Sequence, residues 1–171
     1  MKKNAFLTLL FSLIVCSIHA QGITGILGAF PPEIVLLESE MTQKKDTVIS
    51  HIRFVRGQLR GRSVVLAETG VGKVNAAITT AMMIQHFKPR EIVFSGIAGG
   101  VDPALAPGDL VIGTEIAYHD FGQVDDAGMH YWATKNPFTQ KENPLKFQCD
   151  SVLVRKALRV SQTLKLAKVQ R

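Results

Sequence analysis

Two glycine-rich turns constrain this chain most, because each follows a short apolar run that reads as a buried strand. The first lies in Gly25-Ile26-Leu27-Gly28-Ala29-Phe30-Pro31-Pro32-Glu33, the second in Ser95-Gly96-Ile97-Ala98-Gly99-Gly100. Both exchange side chains for bare backbone where a strand ends. In an open parallel α/β sheet that is where a small ligand binds. The first turn also delivers one carboxylate, Glu33, just beyond it. In the second, successive small residues leave backbone N–H groups exposed, a nest that suits a ribose, a water or an anion.

The first residues read as a targeting segment rather than as part of the fold. Lys2 and Lys3 precede an apolar stretch from Ala5 to Ile18, which ends in Ser17-Ile18-His19-Ala20. That is the pattern of a secretory signal with a small-residue cleavage site, and the stretch is short for a membrane span. The expectation is a signal peptide over 1–20, an exported protein (periplasmic or secreted) with no membrane attachment after cleavage, and one domain over 21–171. Cleavage leaves 151 of the 171 residues, enough for one domain with a substantial core. Cys149 is then the only cysteine, so no intramolecular disulfide is expected even in an oxidising compartment.

The formal net charge of +6 does not mark a nucleic-acid surface. Residues 21–149 carry 12 bases and 13 acids, and the excess sits in the tail from Asp150 onward. A basic tail is commonly a solvated helix face, so no nucleic-acid partner is expected.

Periodicity orders the elements. Ile23–Leu27 reads as a buried strand and Pro31 to about Gln43 as a helix, with Ile34, Leu37 and Met41 on one face. Proline is tolerated in a first helical turn because its missing N–H has no helical partner there. Thr47–Gln58 and Ser63–Glu68 read as two strands joined by a turn at Leu59-Arg60-Gly61-Arg62. Lys73–Phe87 reads as a helix with Val74, Ala77, Ile78, Ala81 and Met82 on its apolar face, ended by Lys88-Pro89. Glu91–Ser95 is a short strand, Pro107-Gly108-Asp109 a turn, and Leu110–Tyr118 the next strand. Residues 119–149 lack a period and read as a long functional loop, and a helix follows from Ser151 with Leu153, Ala157, Val160, Leu164 and Ala167 at helical spacing. This order gives an α/β domain with a mixed sheet.

Several chemistries are excluded. Ala67-Glu68-Thr69-Gly70-Val71-Gly72-Lys73-Val74 is not a P-loop, since Ala67 replaces its first glycine and Val74 the hydroxyl that would hold magnesium. Gly22, Gly25 and Gly28 are spaced three apart, which is not a dinucleotide fingerprint. His51, His86 and His130 show no ligand spacing, so neither a metal nor any other cofactor is expected. His119-Asp120 reads as a polar pair where a loop begins, because neighbours on a strand face opposite ways. Tyr131, Trp132 and Phe138 read as loop anchors or interface residues. Glu33 has a structural reading too, as an acid that offsets the dipole of the helix it begins.

Five blocks in order carry a family resemblance: Gly28-Ala29 with Glu33, then Gly70-Val71-Gly72-Lys73-Val74-Asn75-Ala76-Ala77, then Gly96-Ile97-Ala98-Gly99-Gly100, then Pro107-Gly108-Asp109-Leu110-Val111, then Tyr118-His119-Asp120. The chain resembles 5′-methylthioadenosine/S-adenosylhomocysteine nucleosidase, of the purine nucleoside phosphorylase superfamily, over about residues 23–120 and more loosely to 165. The resemblance implies a three-layer α/β/α fold with a mixed central sheet, a homodimer, an adenine nucleoside as small-molecule substrate and a place in methionine salvage. It implies hydrolysis of the N-glycosidic bond, with Glu33 activating the water and Ala98 and Gly99 giving backbone contacts to the nucleoside. Gly28, Phe30 and Ile97 complete the expected substrate-binding set. Many family members carry serine at the position of Ile97. The adenine-protonating aspartate and the Met-Glu segment that holds the ribose lie later in the family, and neither is found before Arg171, so the chain reads as a C-terminally truncated member. The phosphorylases of the superfamily are the nearest alternative. They hold phosphate with arginines, and here Phe94 and Ile97 and the prolines near Glu33 stand at those places, which leaves water as the better nucleophile. The other alternative is a non-catalytic, nucleoside-binding domain.

Overall fold

The computed structural model describes residues 22–164. The predicted signal segment and Ala167 lie outside the described residues. The chain divides into two compact units, which meet in sequence at Gly99 and Gly100.

The first unit is a five-stranded mixed sheet with one helix on each face. Its elements are β1 (Thr24–Gly28), α1 (Pro31–Glu40), β2 (Thr42–Ile49), β3 (Ile52–Leu59), β4 (Arg62–Glu68), α2 (Lys73–Phe87) and β5 (Glu91–Phe94). The spatial order is β2-β3-β4-β1-β5. β1 runs parallel to both β4 and β5, whereas β2, β3 and β4 form antiparallel hairpins. All three parallel strands therefore end on one side.

Strand alternation divides the core into two sheets of side chains. Ile26, Val55, Val64 and Leu66 face one way and pack with Ile34 from α1 and with Met41 just beyond it. Leu27, Phe54, Val65 and Ala67 face the other way and pack with Met83 from α2. Phe54 is fully buried, its ring 5.1 Å from that of Phe87. These two clusters are the outer boundaries of the central layer, and they give this unit the expected three-layer α/β/α arrangement.

Several elements differ from the sequence reading. α1 ends at Glu40, because Met41 turns extended to seal the first cluster and its N–H donates to Glu38 O at 3.2 Å. The expected strand Thr47–Gln58 is a hairpin, β2 and β3, joined at Ser50 and His51. Both turn residues have positive φ, the geometry of a tight hairpin, but neither is the glycine or asparagine that normally signals it. The turn at Arg60-Gly61 does contain that glycine, and it forms where expected. On α2 the buried residues are Thr79 and Met83, while Val74 and Ile78 of the expected face are 72% and 47% exposed. The helix is apolar on more than one side, so period alone did not select the face that meets the sheet.

The second unit contains β6 (Glu115–Ala117), β7 (Gly122–Asp125), β8 (Gly128–Tyr131), β9 (Lys146–Gln148) and α3 (Ser151–Thr163). The expected strand Leu110–Tyr118 shrinks to β6, because only those three residues find a partner, in antiparallel β9. The stretch read as one long loop holds the β7–β8 hairpin, β9 and a bridge between Lys135 and Glu142. α3 starts at Asp150, whose Oδ1 accepts the N–H groups of Val152 and Leu153 at 2.9 and 2.8 Å. Among the described residues no helix is long and apolar enough to cross a membrane.

Candidate active site

The parallel strands β4, β1 and β5 end beside one another, with Gly28 opposite Glu68 and Leu27 opposite Phe94. The pairing runs one residue further on each side. Thr69 N–H donates to Gly28 O at 2.8 Å, and Ser95 N–H to Leu27 O at 2.9 Å. Both glycine turns thus leave the sheet together, at the end where ligands bind in such folds.

Glu33 joins the two turns. Phe30 is the residue before the first helical turn, Pro31 and Pro32 are the first two helical residues, and Glu33 is the third. From that position a glutamate reaches back to the free N–H groups at the helix start, half of a capping box. Here Oε2 accepts the Ala29 N–H. The other oxygen does something a cap does not require. Oε1 accepts the N–H of Ile97, 64 residues away, at 2.8 Å. The carboxylate is half-buried. The Ile97 N–H, working against partial burial and aided by Ala29 and Phe30, holds it below the ordinary carboxylate value.

An ionised carboxylate offers about four acceptor positions. The bonds from Ala29 and Ile97 take one position on each oxygen. The group is therefore anionic at neutral pH and fixed in orientation.

The substrate-binding residues expected from sequence fall into two sets. Ile97, Ala98 and Gly99 follow β5 after Ser95 and Gly96 and are exposed, with nothing within 4 Å of the space a side chain on Gly99 would fill. Gly28 is different. The space it leaves is filled by Ile34 Cγ2, with Glu33 Cβ 3.1 Å and Ser95 O 3.3 Å from an ideal Cβ. Its missing side chain admits α1 against the sheet. Phe30 is half-buried beside the carboxylate's donors. Sequence reasoning missed the backbone N–H groups of Ala29 and Ile97 that orient Glu33, because backbone donors leave no mark in residue type.

The second unit holds other polar groups. His130 Nε2 meets Asp125 Oδ2 at 2.9 Å across the β7–β8 hairpin. His119 lies beyond β6 and, with Tyr118, Tyr131, Trp132 and Lys146, borders an open groove of about 310 Å³. Among the described residues no three His, Cys, Asp or Glu side chains converge as a metal site would require.

Residues 23–171 match the family model of the phosphorylase superfamily. The chain is 37% identical over 131 residues to 5′-methylthioadenosine/S-adenosylhomocysteine nucleosidase of Staphylococcus haemolyticus, covering 77% of this chain and 54% of that protein. With the Staphylococcus aureus enzyme of the same name the identity is 37% over 142 residues, covering 83% and 59%. The nucleosidase of Neisseria meningitidis in complex with methylthio-immucillin-A superposes with a TM-score of 0.73 at 35% identity, covering 84% of this chain and 59% of that one. That of Colwellia psychrerythraea in complex with adenine gives 0.72 at 36%, covering 85% and 57%. The chain spans little more than half the length of these relatives. The match over nearly every described residue, the mixed sheet and the glycine turns at its parallel strand ends agree, and the chain belongs to the phosphorylase superfamily.

Proposed function

We propose that this chain carries the water-activating half of a nucleosidase that hydrolyses 5′-methylthioadenosine and S-adenosylhomocysteine-type adenine nucleosides. The observation that carries the reading is the Glu33 carboxylate, held by backbone donors from both glycine turns. The water oxygen bonds to the anomeric carbon at an oxocarbenium-like centre while the carbon–nitrogen bond to adenine breaks. Glu33 receives the proton of the water. Adenine departs with a proton from an acid other than Glu33. Phe30, Ile97, Ala98 and Gly99 border the nucleoside, and Gly28 shapes the turn behind it. The relatives named for these substrates support the class of nucleoside, and the reaction belongs to methionine salvage. Water is favoured over phosphate because Phe94 and Ile97 provide no cation. Export and a homodimer are part of the same proposal.

Chromatographic detection of free base tests it. The chain is incubated with methylthioadenosine, S-adenosylhomocysteine, adenosine and inosine, with and without phosphate. Phosphate-independent adenine release that disappears in Glu33→Ala is expected. Release that requires phosphate, or that survives Glu33→Ala, overturns the reading.

A further inference from the structure

The two turns contribute something besides N–H groups. An ideal Cβ placed on Gly96 would stand 2.6 Å from Glu33 Oε1, 2.8 Å from Cδ and 2.9 Å from Oε2. Real Cβ atoms do not approach other atoms so closely, so any residue but glycine would displace the carboxylate. Backbone conformation gives no other reason for glycine here, because Gly96 is absent from the positive-φ positions of the chain. Nor does the gap serve an open pocket, as at Gly99: the carboxylate itself occupies it.

We propose that Gly96 is a positioning residue whose missing side chain is the slot that seats the Glu33 carboxylate between the two turns. The slot fixes the carboxylate from the side while Ile97 N–H, the next residue, fixes Oε1 from the end. A methyl group at position 96 pushes the carboxylate away from that donor and rotates the face that holds the water. The inference deepens the nucleosidase reading and rests on it for its kinetic consequence. The seat itself is independent of turnover.

The test uses the full chain with ¹³C-labelled glutamate. The Glu33 carboxyl is titrated by NMR in the parent chain, in Gly96→Ala and in Gly113→Ala, where nothing lies within 4 Å of the added methyl. Gly96→Ala is expected to move the Glu33 midpoint up toward the ordinary value of 4.5, and Gly113→Ala to leave it in place. With methylthioadenosine, kcat of Gly96→Ala falls on the order of 10²-fold, as for a misplaced group. Its KM changes far less, and the acid limb of its kcat–pH profile moves with the NMR midpoint. In a Glu33→Ala background the space is vacated, so Gly96→Ala then leaves the melting temperature unchanged. Where Gly96→Ala alone does not fold, Gly96→Ala with Glu33→Asp, one methylene shorter, is expected to fold. An unmoved midpoint in Gly96→Ala, or failure of both variants to fold, overturns the seat. A moved midpoint in a chain that releases no adenine upholds the seat and removes the nucleosidase reading.

Discussion

Replacing Glu33 by glutamine keeps the side chain's size and removes only its charge and half of its acceptors. The carboxylate takes Ile97 N–H on one oxygen and Ala29 N–H on the other. Glutamine has one oxygen and one NH₂. Whichever way the amide turns, a donor faces a donor at one of the two turns, and that backbone bond is lost. The amide also cannot take the proton of an attacking water. Loss of a positioned general base lowers rate by about 10²–10⁴-fold, and the misdirected water places Glu33→Gln toward the upper end of that range. Adenine release from methylthioadenosine measures the rate. Amide proton shifts of Ala29 and Ile97 measure the bonds, and at least one moves upfield. Turnover within about tenfold of the parent chain, with both amide shifts unchanged, would show that the carboxylate neither holds the turns together nor serves as base.

The core and surface give three further expectations. Phe54→Ala empties a fully buried site between β3 and α2 and costs about 3–5 kcal/mol in chemical denaturation; a loss under about 1 kcal/mol would contradict the packing described. Arg53 donates to both oxygens of Glu38, at 3.0 and 2.7 Å, and to Asp46 at 2.7 Å, tying α1 to the β2–β3 hairpin. Its side chain is half-exposed, so Arg53→Ala costs only about 0.5–1 kcal/mol, read from the denaturation midpoint, and a loss of several kcal/mol would mean the tie is not the surface pair it is taken for. Glu33 is held below the ordinary carboxylate value chiefly by Ile97 N–H, Glu38 chiefly by its bonds from Arg53, and Glu115 chiefly by Gln148 and then Lys146. Each binds its proton more weakly folded than unfolded, so its stabilisation is complete above about 4.5 and disappears as pH falls through the lower folded value; urea midpoints that do not decline on acidification below that point would refute it.

Much of the first unit was legible because its signals are local. Glycine after an apolar run marked the ends of β1 and β5, and Ile34 and Leu37 marked the face of α1 that meets the sheet. The β2–β3 hairpin was not legible, since Ser50 and His51 adopt positive φ without the residue types that advertise it. The inward face of α2 was not legible either, because a helix apolar on several sides does not say which one the sheet takes. At the site, Glu33 was visible as a side chain, but the donors that orient it are backbone groups and the slot that holds it is an absent Cβ. Gly28 and Gly96 look alike in sequence. Only the three-dimensional packing separates the one that admits Ile34 from the one that admits a carboxylate.

The mixed sheet also sets an order of assembly. β2, β3 and β4 are consecutive hairpins, whose closure costs little chain entropy. β1 pairs with β4 and β5 only after some 40 and 67 positions of chain have been brought back, as the registers Thr24 with Val64 and Thr24 with Glu91 require. Contacts so distant in sequence form slowly. The bond from Ile97 to Glu33 belongs to this late group, its partners 64 positions apart. A chain that has completed its hairpins has a nascent core and no oriented carboxylate. Orientation of the Glu33 carboxylate therefore arrives with the final strand pairing, and a refolding experiment that follows the Ile97 amide will see it protected after those of Val55 and Leu66.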